Sequence, residues 1–416
     1  MWVFVLLLPI ILFLFFKNKN DLRQPHFFII LLFILLTISR LGYIYYYPEY
    51  FVNIRYLSGL KLKNEIINTI LILLLGIYSF FISFLLNTHR FKFPKLNPNL
   101  NRLKKMINLI TIGVMAIIFF FIKVYLSFGS VFLLILNLRM GEVDNIYIIK
   151  QIIILFFVLN FYLLNLIREV RLTFFSKKII LLQIIISLFF LLLGDRNLFI
   201  FVLFSFLFLK PVNLTFKNSI KFIVVFAMII SIGYSLKVIR NSIFDGTNEV
   251  ELEESFNGQQ FFNAVNGQNI DNFVLLQKDY RPFNKKLFGL HFLYGTFGLI
   301  PRAVWSGKPV FITSGQWFRE KYYPSSIGGK PITAFGEQFV NFGLLGIVFF
   351  CGLSGWLFKL LWNSYLSSRA QNAMPITIIF FGLIKFTAYG FIGANILFDL
   401  ISLIVPLILF NKYIND

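Results

Sequence analysis

Cysteine is nearly missing from this chain: Cys351 is the one thiol, and it lies inside an apolar run. No intrachain disulfide can form, whichever compartment the loops face. Histidine is almost as scarce, at His26, His89 and His291. Three histidines this far apart, with no cysteine cluster, argue against a structural zinc site. Charged residues make up only 14% of the chain, where soluble chains carry about 25%. Carboxylates are the rarer sign, 18 Asp and Glu against 39 Lys and Arg. The sequence contains no Walker loop, no dinucleotide-binding glycine fingerprint and no heptad pattern, and no internal repeat at periods of roughly 20–50 residues.

What is abundant is apolar surface. Hydrophobic residues make up 58%, phenylalanine alone occurs 56 times, and the mean hydropathy is +0.79. Apolar runs recur along the whole sequence, so the expected class is an all-α polytopic membrane protein. Runs that fit a bilayer lie near 2–16, 26–47, 65–86, 106–126, 148–167, 179–194, 197–210, 221–238, 335–360, 375–392 and 394–410. They predict about 11 transmembrane helices, with a range of about 10–12 because three runs are short. The first run has no basic leader and no cleavage pattern, and reads as a retained span. The expected organisation is a bundle of about eight helices over 1–238, one long loop over 239–332, and about three helices over 333–416.

A net charge of +21 would suggest nucleic acid on a soluble protein. Here most basic residues outside the largest loop fall in short loops, where they report topology and contact with anionic lipid headgroups; no nucleic-acid partner is expected. Lys17, Lys19 and Arg23, then Arg90 to Lys105, then Arg168 to Lys178, then Lys210 to Lys221 form one dense set. The alternate loops hold only Arg55, Lys61, Lys63, Arg139 and Arg196. The positive-inside rule puts the dense set in the cytoplasm, the N-terminus outside and the C-terminus inside. Arg196 and the long loop then face outward. Within that loop, 244–259 is acidic and polar. The stretch 259–283 has near-helical apolar spacing, which suggests helices lying on the membrane surface. The stretch 287–309 breaks at Pro301 and Pro309 and reads as a re-entrant or interfacial segment.

Charged side chains at membrane depth cost several kcal/mol unless paired or wet, so each suggests function. The outward set is Arg139, Asp195, Arg196, Arg240, Arg302, Lys308, Arg319, Lys321 and Glu337, while Arg40, Lys123, Lys237 and Lys385 lie in or near the ends of spans. Guanidinium groups gathered at a membrane surface suit a phosphate or pyrophosphate headgroup, because Arg makes bidentate, charge-assisted bonds to phosphate oxygens. Arg196 is either the partner of Asp195 in a short hairpin or a ligand for such a group. Arg240 is either a snorkelling anchor or a second ligand. Glu337 is either an electrostatic cap at a helix N-terminus or a general base. Asn341, four residues on, shares its helix face. His291 is either a satisfied interfacial side chain or a base. Gly343, Gly346, Gly352 and Gly355 stand at spacings that close helix packing explains. Glu249, Glu251, Glu253 and Glu254 read as a solvated run and match no metal-ligand spacing.

"LLLGDRNLF" (191–199), "VIRNSIF" (238–244), "GLIPRAVWSGKP" (298–309) and "PITAFGEQFVNFGLLGIVFF" (331–350) occur in that order. The arrangement resembles the bacterial oligosaccharide repeat-unit polymerases that build O-antigen or capsule, the Wzy type. The likeness covers roughly 180–350 by motif and the rest by hydropathy. The resemblance implies a membrane glycosyltransferase of GT-C-like architecture in the bacterial cytoplasmic (inner) membrane, inverting and metal-independent, with no cofactor. Its donor and acceptor would be undecaprenyl-pyrophosphate-linked oligosaccharides, and its expected protein partner a chain-length co-polymerase. Carried onto this sequence, Arg196, Arg240 and Arg302 would hold the pyrophosphate, helped by Arg139 and Lys308. Arg319 and Asn341 complete the expected substrate contacts. Glu337 becomes the first choice of base, with Asp195 or His291 next.

Two other readings use the same features. An O-antigen ligase takes the same donor but a lipid A-core acceptor. A lipid-linked oligosaccharide flippase or other transporter would line a path with the intramembrane cations, although a loop of about ninety residues exceeds what a plain connection needs.

Overall fold

The computed structural model describes residues 24–93, 99–129, 146–169, 173–192, 268–297, 300, 304–308, 312–325, 330–367, 373–389 and 396–415, with isolated positions at 205, 218, 221, 224 and 228. Regular structure among them is helical, without strands. The expected spans near 2–16, 197–210 and 221–238 fall outside the continuously described stretches, as does the acidic run 244–259.

The helices are α1 (Pro25–Leu32), α2 (Ser39–Tyr46), α3 (Gly59–Leu86), α4 (Leu100–Phe128), α5 (Ile146–Glu169), α6 (Thr173–Leu192), α7 (Gln268–Asp279), α8 (Leu290–Phe297), α9 (Ser314–Tyr322), α10 (Thr333–Ser367), α11 (Met374–Tyr389) and α12 (Ile396–Asn415). A π-helical stretch, Phe33–Ile38, joins α1 to α2 into the expected run near 26–47. α3 starts earlier than the expected run near 65–86, so Lys61 and Lys63 stand near the start of the helix rather than in a loop. Lysine is a good helix former, so both positions can belong to the helix. α4 also starts early, because the Asn99 side chain accepts from the N–H groups of Asn101 (3.0 Å) and Arg102 (3.4 Å) and so satisfies donors that a helix start leaves open.

The chain folds into two compact units, each discontinuous in sequence. The first comprises 1–89, 256–360 and 382–401; the second comprises 90–255, 361–381 and 402–416. In the second, α5 packs along α6 and both meet α4. Its core is aromatic, with Phe161 and Phe380 rings 4.4 Å apart and Phe121 stacked on Phe189 at 5.2 Å. Buried polar side chains bond to one another across its helices: Asn160 donates to Gln183 (2.6 Å) and Tyr162 to Asn411 (2.7 Å).

In the first unit, α3 runs against α10. Gly352 and Gly355 bring the two backbones together: a Cβ at Gly352 would stand 2.9 Å from Ser79 Oγ, and one at Gly355 would strike the Phe80 carbonyl. Here the packing expectation holds. Gly343 differs. Its φ of 68° and ψ of −149° kink α10, a left-handed conformation that glycine alone adopts without strain.

Among the described residues, three helices are long and apolar enough to cross a bilayer: Gly59–Leu86, Leu100–Ser127 and Thr333–Ser367. α4 also carries an outward stripe of Leu109, Ile112, Met115, Phe119, Ile122 and Leu126, each 49–72% exposed. Large apolar side chains at three- to four-residue spacing, turned outward, make a lipid-facing surface.

Helix α7 is not a surface helix. Residues Ile270 to Gln277 are all buried, against α2 and α3. The near-helical apolar spacing was real, but the polar face is enclosed as well, because Asp271 and Asn272 find partners inside the unit. α8 is described over eight residues, Leu290–Phe297, and much of the stretch 298–309, with Pro301 and Pro309, lies outside the described residues.

Candidate functional site

The loop helices are pinned to the start of α10 by a polar relay. Tyr323 donates its hydroxyl to Asn53 Oδ1. Asn53 donates to Asn272 Oδ1 (3.1 Å), and Asn272 to the Pro331 carbonyl (2.7 Å). Arg55 adds a bond to the Tyr322 carbonyl (3.0 Å) and lies 4.3 Å from the Tyr323 ring. Beneath this relay lies a buried ion pair. Arg40 makes bonds of 3.0 and 2.6 Å to the two Asp271 oxygens, and Asp271 also accepts from the Val52 N–H at 3.1 Å. Burial pushes the Asp271 carboxyl upward, while Arg40 and the Val52 N–H pull the other way.

α9 begins with a capping box in which Thr313 and Gln316 satisfy each other's N–H groups. Gly315 then lets the backbone approach Lys330, whose N–H donates to the Gly315 carbonyl (3.0 Å). A Cβ at Gly315 would lie 3.3 Å from the Lys330 carbonyl carbon. The close approach delivers Ser314 to α10, where its hydroxyl donates to Glu337 Oε1. Glu337 is half-buried.

The helix start itself is served by Thr333, whose hydroxyl accepts from the Gly336 N–H at 3.2 Å. Glu337 is the fifth residue of α10, past the first turn, where the dipole effect has faded. Of the two roles open for Glu337, the electrostatic cap therefore has little physical basis.

One turn along α10, Asn341 is fully engaged. Its amide nitrogen donates to the Glu337 carbonyl (2.7 Å) and meets His291 Nδ1 (3.2 Å), while its oxygen accepts from the His291 N–H (3.3 Å). The amide is held by protein groups at both its nitrogen and its oxygen, which fixes Asn341 in place beside His291. His291 is 2% exposed, and the Trp317 ring packs on it edge to face at 4.8 Å. Burial lowers its pKa to about 4. Its Nε2 has no hydrogen-bond partner among the described residues, a condition that costs roughly 1–3 kcal/mol in a folded protein.

Lys286 closes the far side. Its ammonium donates to the Phe339 carbonyl (3.0 Å) and lies 3.7 Å from the Phe339 ring centroid. Burial lowers its pKa to about 8. Strained backbone surrounds the cluster: Phe288 and Thr333 have φ of 45° and 56°, and Gly289 and Gly343 have 91° and 68°. A β-branched residue such as Thr at positive φ is an outlier of the kind that concentrates at functional sites.

The structure thus brings Glu337, Asn341 and His291 together. Lys308 donates to the Ile300 carbonyl (2.8 Å), and Arg319, in the last turn of α9, pairs with Glu320 at 3.1 Å. Arg139, Asp195, Arg196, Arg240 and Arg302 lie outside the described residues. Among the described residues, no three of His, Cys, Asp and Glu gather as a metal site.

No protein-family model, curated protein or solved structure matches this chain.

Ser314, Trp317 and Lys286 were invisible as site residues in the sequence. Ser314 and Trp317 sit in a polar loop segment with no motif. Lys286 follows Lys285 and reads as half of a solvated pair. The signal that existed was Arg40, a charge inside an apolar run.

Proposed function

We propose that the chain polymerises undecaprenyl-pyrophosphate-linked oligosaccharide repeat units into a surface polysaccharide, O-antigen or capsule, on the outer face of a bacterial cytoplasmic membrane. In this reading it is a GT-C-like glycosyltransferase of about eleven spans, with the N-terminus outside and the C-terminus in the cytoplasm. A chain-length co-polymerase works beside it.

Glu337 takes the proton of the acceptor hydroxyl as that oxygen attacks the anomeric carbon of the donor, from the face opposite the lipid. The bond between that carbon and the pyrophosphate oxygen breaks, and its electron pair stays on the pyrophosphate. Arg196, Arg240 and Arg302, with Arg139 and Lys308, meet the developing charge. Arg319 contacts the glycan. Cleavage of the donor's pyrophosphate link drives the step, so no nucleotide is consumed.

The observation that carries the reading is the Ser314–Glu337 bond. A half-buried carboxylate near the start of a span-length helix is held by a hydroxyl from a loop helix, with strained backbone on both sides. This is the kind of positioned group that proton abstraction needs.

A deletion strain tests the proposal against transport. The polymerase reading expects single repeat units to reach the cell surface. Accumulation of single units on the cytoplasmic side would instead make the chain a flippase.

A further inference from the structure

Asn341 can hold its amide in only one orientation. The group facing the Glu337 carbonyl at 2.7 Å must be the nitrogen, and the group facing the His291 N–H must be the oxygen. Reversal would set oxygen against oxygen and N–H against N–H. The nitrogen so fixed also meets His291 Nδ1 at 3.2 Å, and an N–H there requires Nδ1 to be an acceptor. In a neutral imidazole the proton then sits on Nε2. That atom is the one without a hydrogen-bond partner among the described residues, on a ring 2% exposed. Trp317 and Asn341 hold the ring on two sides, so the donor is aimed by its neighbours.

We propose that His291 is a substrate-binding residue, a neutral Nε2–H donor to an oxygen of the lipid-linked donor substrate, and that Asn341 is the positioning residue that sets its tautomer. This deepens the polymerase reading and rests on it for the identity of the ligand. It also assigns the ring a task other than the base role open to it in the sequence: with Nε2 carrying the proton and Nδ1 taken by Asn341, neither nitrogen is available to take a proton from an acceptor hydroxyl. Glu337, bonded through its own carboxylate to Ser314, keeps that step. The acceptor oxygen belongs either to the glycan or to the pyrophosphate; both offer the same lone pairs to an N–H.

The test is nitrogen NMR of the full chain in nanodiscs with ring-labelled histidine. The chain has three histidines, and the spectrum of His291→Gln identifies the signals of His291 by difference. At neutral pH the expected pattern is a neutral ring protonated on Nε2. A ring protonated on Nδ1, or an imidazolium, overturns the proposal. Asn341→Asp replaces the donor to Nδ1 by an acceptor, and should move the proton to Nδ1. A tautomer unchanged by that substitution overturns the role of Asn341.

Bare undecaprenyl pyrophosphate and the lipid-linked repeat unit are then added separately. A shift of the Nε2–H signal with the bare lipid assigns the bond to the pyrophosphate. A shift only with the repeat unit assigns it to the glycan. No shift with either overturns the ligand role. In turnover, His291→Gln keeps an amide donor and should retain at least tenfold more kcat/KM than His291→Phe, which keeps only shape; equal values count against the proposal. The two readings fail separately. A chain that makes no polymer but whose ring carries Nε2–H and responds to the bare lipid removes the polymerase reading alone. A chain that makes polymer with a ring protonated on Nδ1 removes this assignment alone.

Discussion

Arg40 and Asp271 stand 231 residues apart in the chain and form a bidentate pair with bonds of 3.0 and 2.6 Å, buried on both sides. The pair ties the first described apolar run to helix α7. Removing one partner leaves an uncompensated buried charge, which costs about 3–5 kcal/mol. Arg40→Ala or Asp271→Ala should therefore sharply reduce the yield and melting temperature of detergent-purified protein. The double change to Leu at both positions should recover much of that loss. If Arg40→Ala melts at the wild-type temperature, the pair does not hold α7 in place.

Gly343 gives a second prediction. Alanine there must adopt φ near 68°, and its Cβ would stand 3.2 Å from Lys286 Cε. The strain costs of order 1–3 kcal/mol. Gly343→Ala should lower thermal stability by this amount, while Gly42→Ala, where a Cβ meets nothing within 4 Å, should change little. Equal effects at the two positions would mean that the kink is not required.

The Ser314 bond to Glu337 makes a kinetic prediction. Hydrogen bonds to charged groups contribute about 1.5–3 kcal/mol, so Ser314→Ala should lower turnover by about tenfold or more. Glu337→Gln should abolish turnover and leave donor binding intact. Turnover assays with a parallel lipid-binding measurement separate the two outcomes; a Glu337→Gln variant at wild-type rate removes the base role.

The fourth prediction concerns acid. Burial lowers the His291 pKa to about 4 from an ordinary 6.5. Because the folded value lies below the unfolded one, the unfolded chain binds the extra proton between these two values. Stability is full above pH 6.5, falls as the pH drops toward 4, and levels off below. The loss is on the order of 3 kcal/mol. Melting curves across this window should fall more steeply for the wild type than for His291→Gln. Parallel curves would mean that the ring is not buried neutral.

The helices were legible wherever apolar runs were long, because period and length carry that information locally. The Glu337–Asn341 spacing was legible too, since four residues put both on one helix face. What escaped depended on distant chain. Asp271 sat in a stretch read as lying on the membrane surface, and Arg40, far upstream, makes its burial tolerable. The enclosure of α7 followed from that pairing and not from its own pattern. Gly343 shared its spacing with Gly352 and Gly355, and spacing alone cannot distinguish a kink from a close helix contact. His291 was visible as a residue, but its partner Asn341 lies 50 positions away, so its tautomer was beyond any local motif.

The central claim is tested most directly with the purified full chain in liposomes, given undecaprenyl-pyrophosphate-linked repeat units and no lipid A-core. A ladder of lengthened chains that disappears in Glu337→Gln, and in at least two of Arg196→Ala, Arg240→Ala and Arg302→Ala, is the predicted result. Repeat units that stay single with wild-type protein, or a normal ladder from the Glu337→Gln variant, would contradict it.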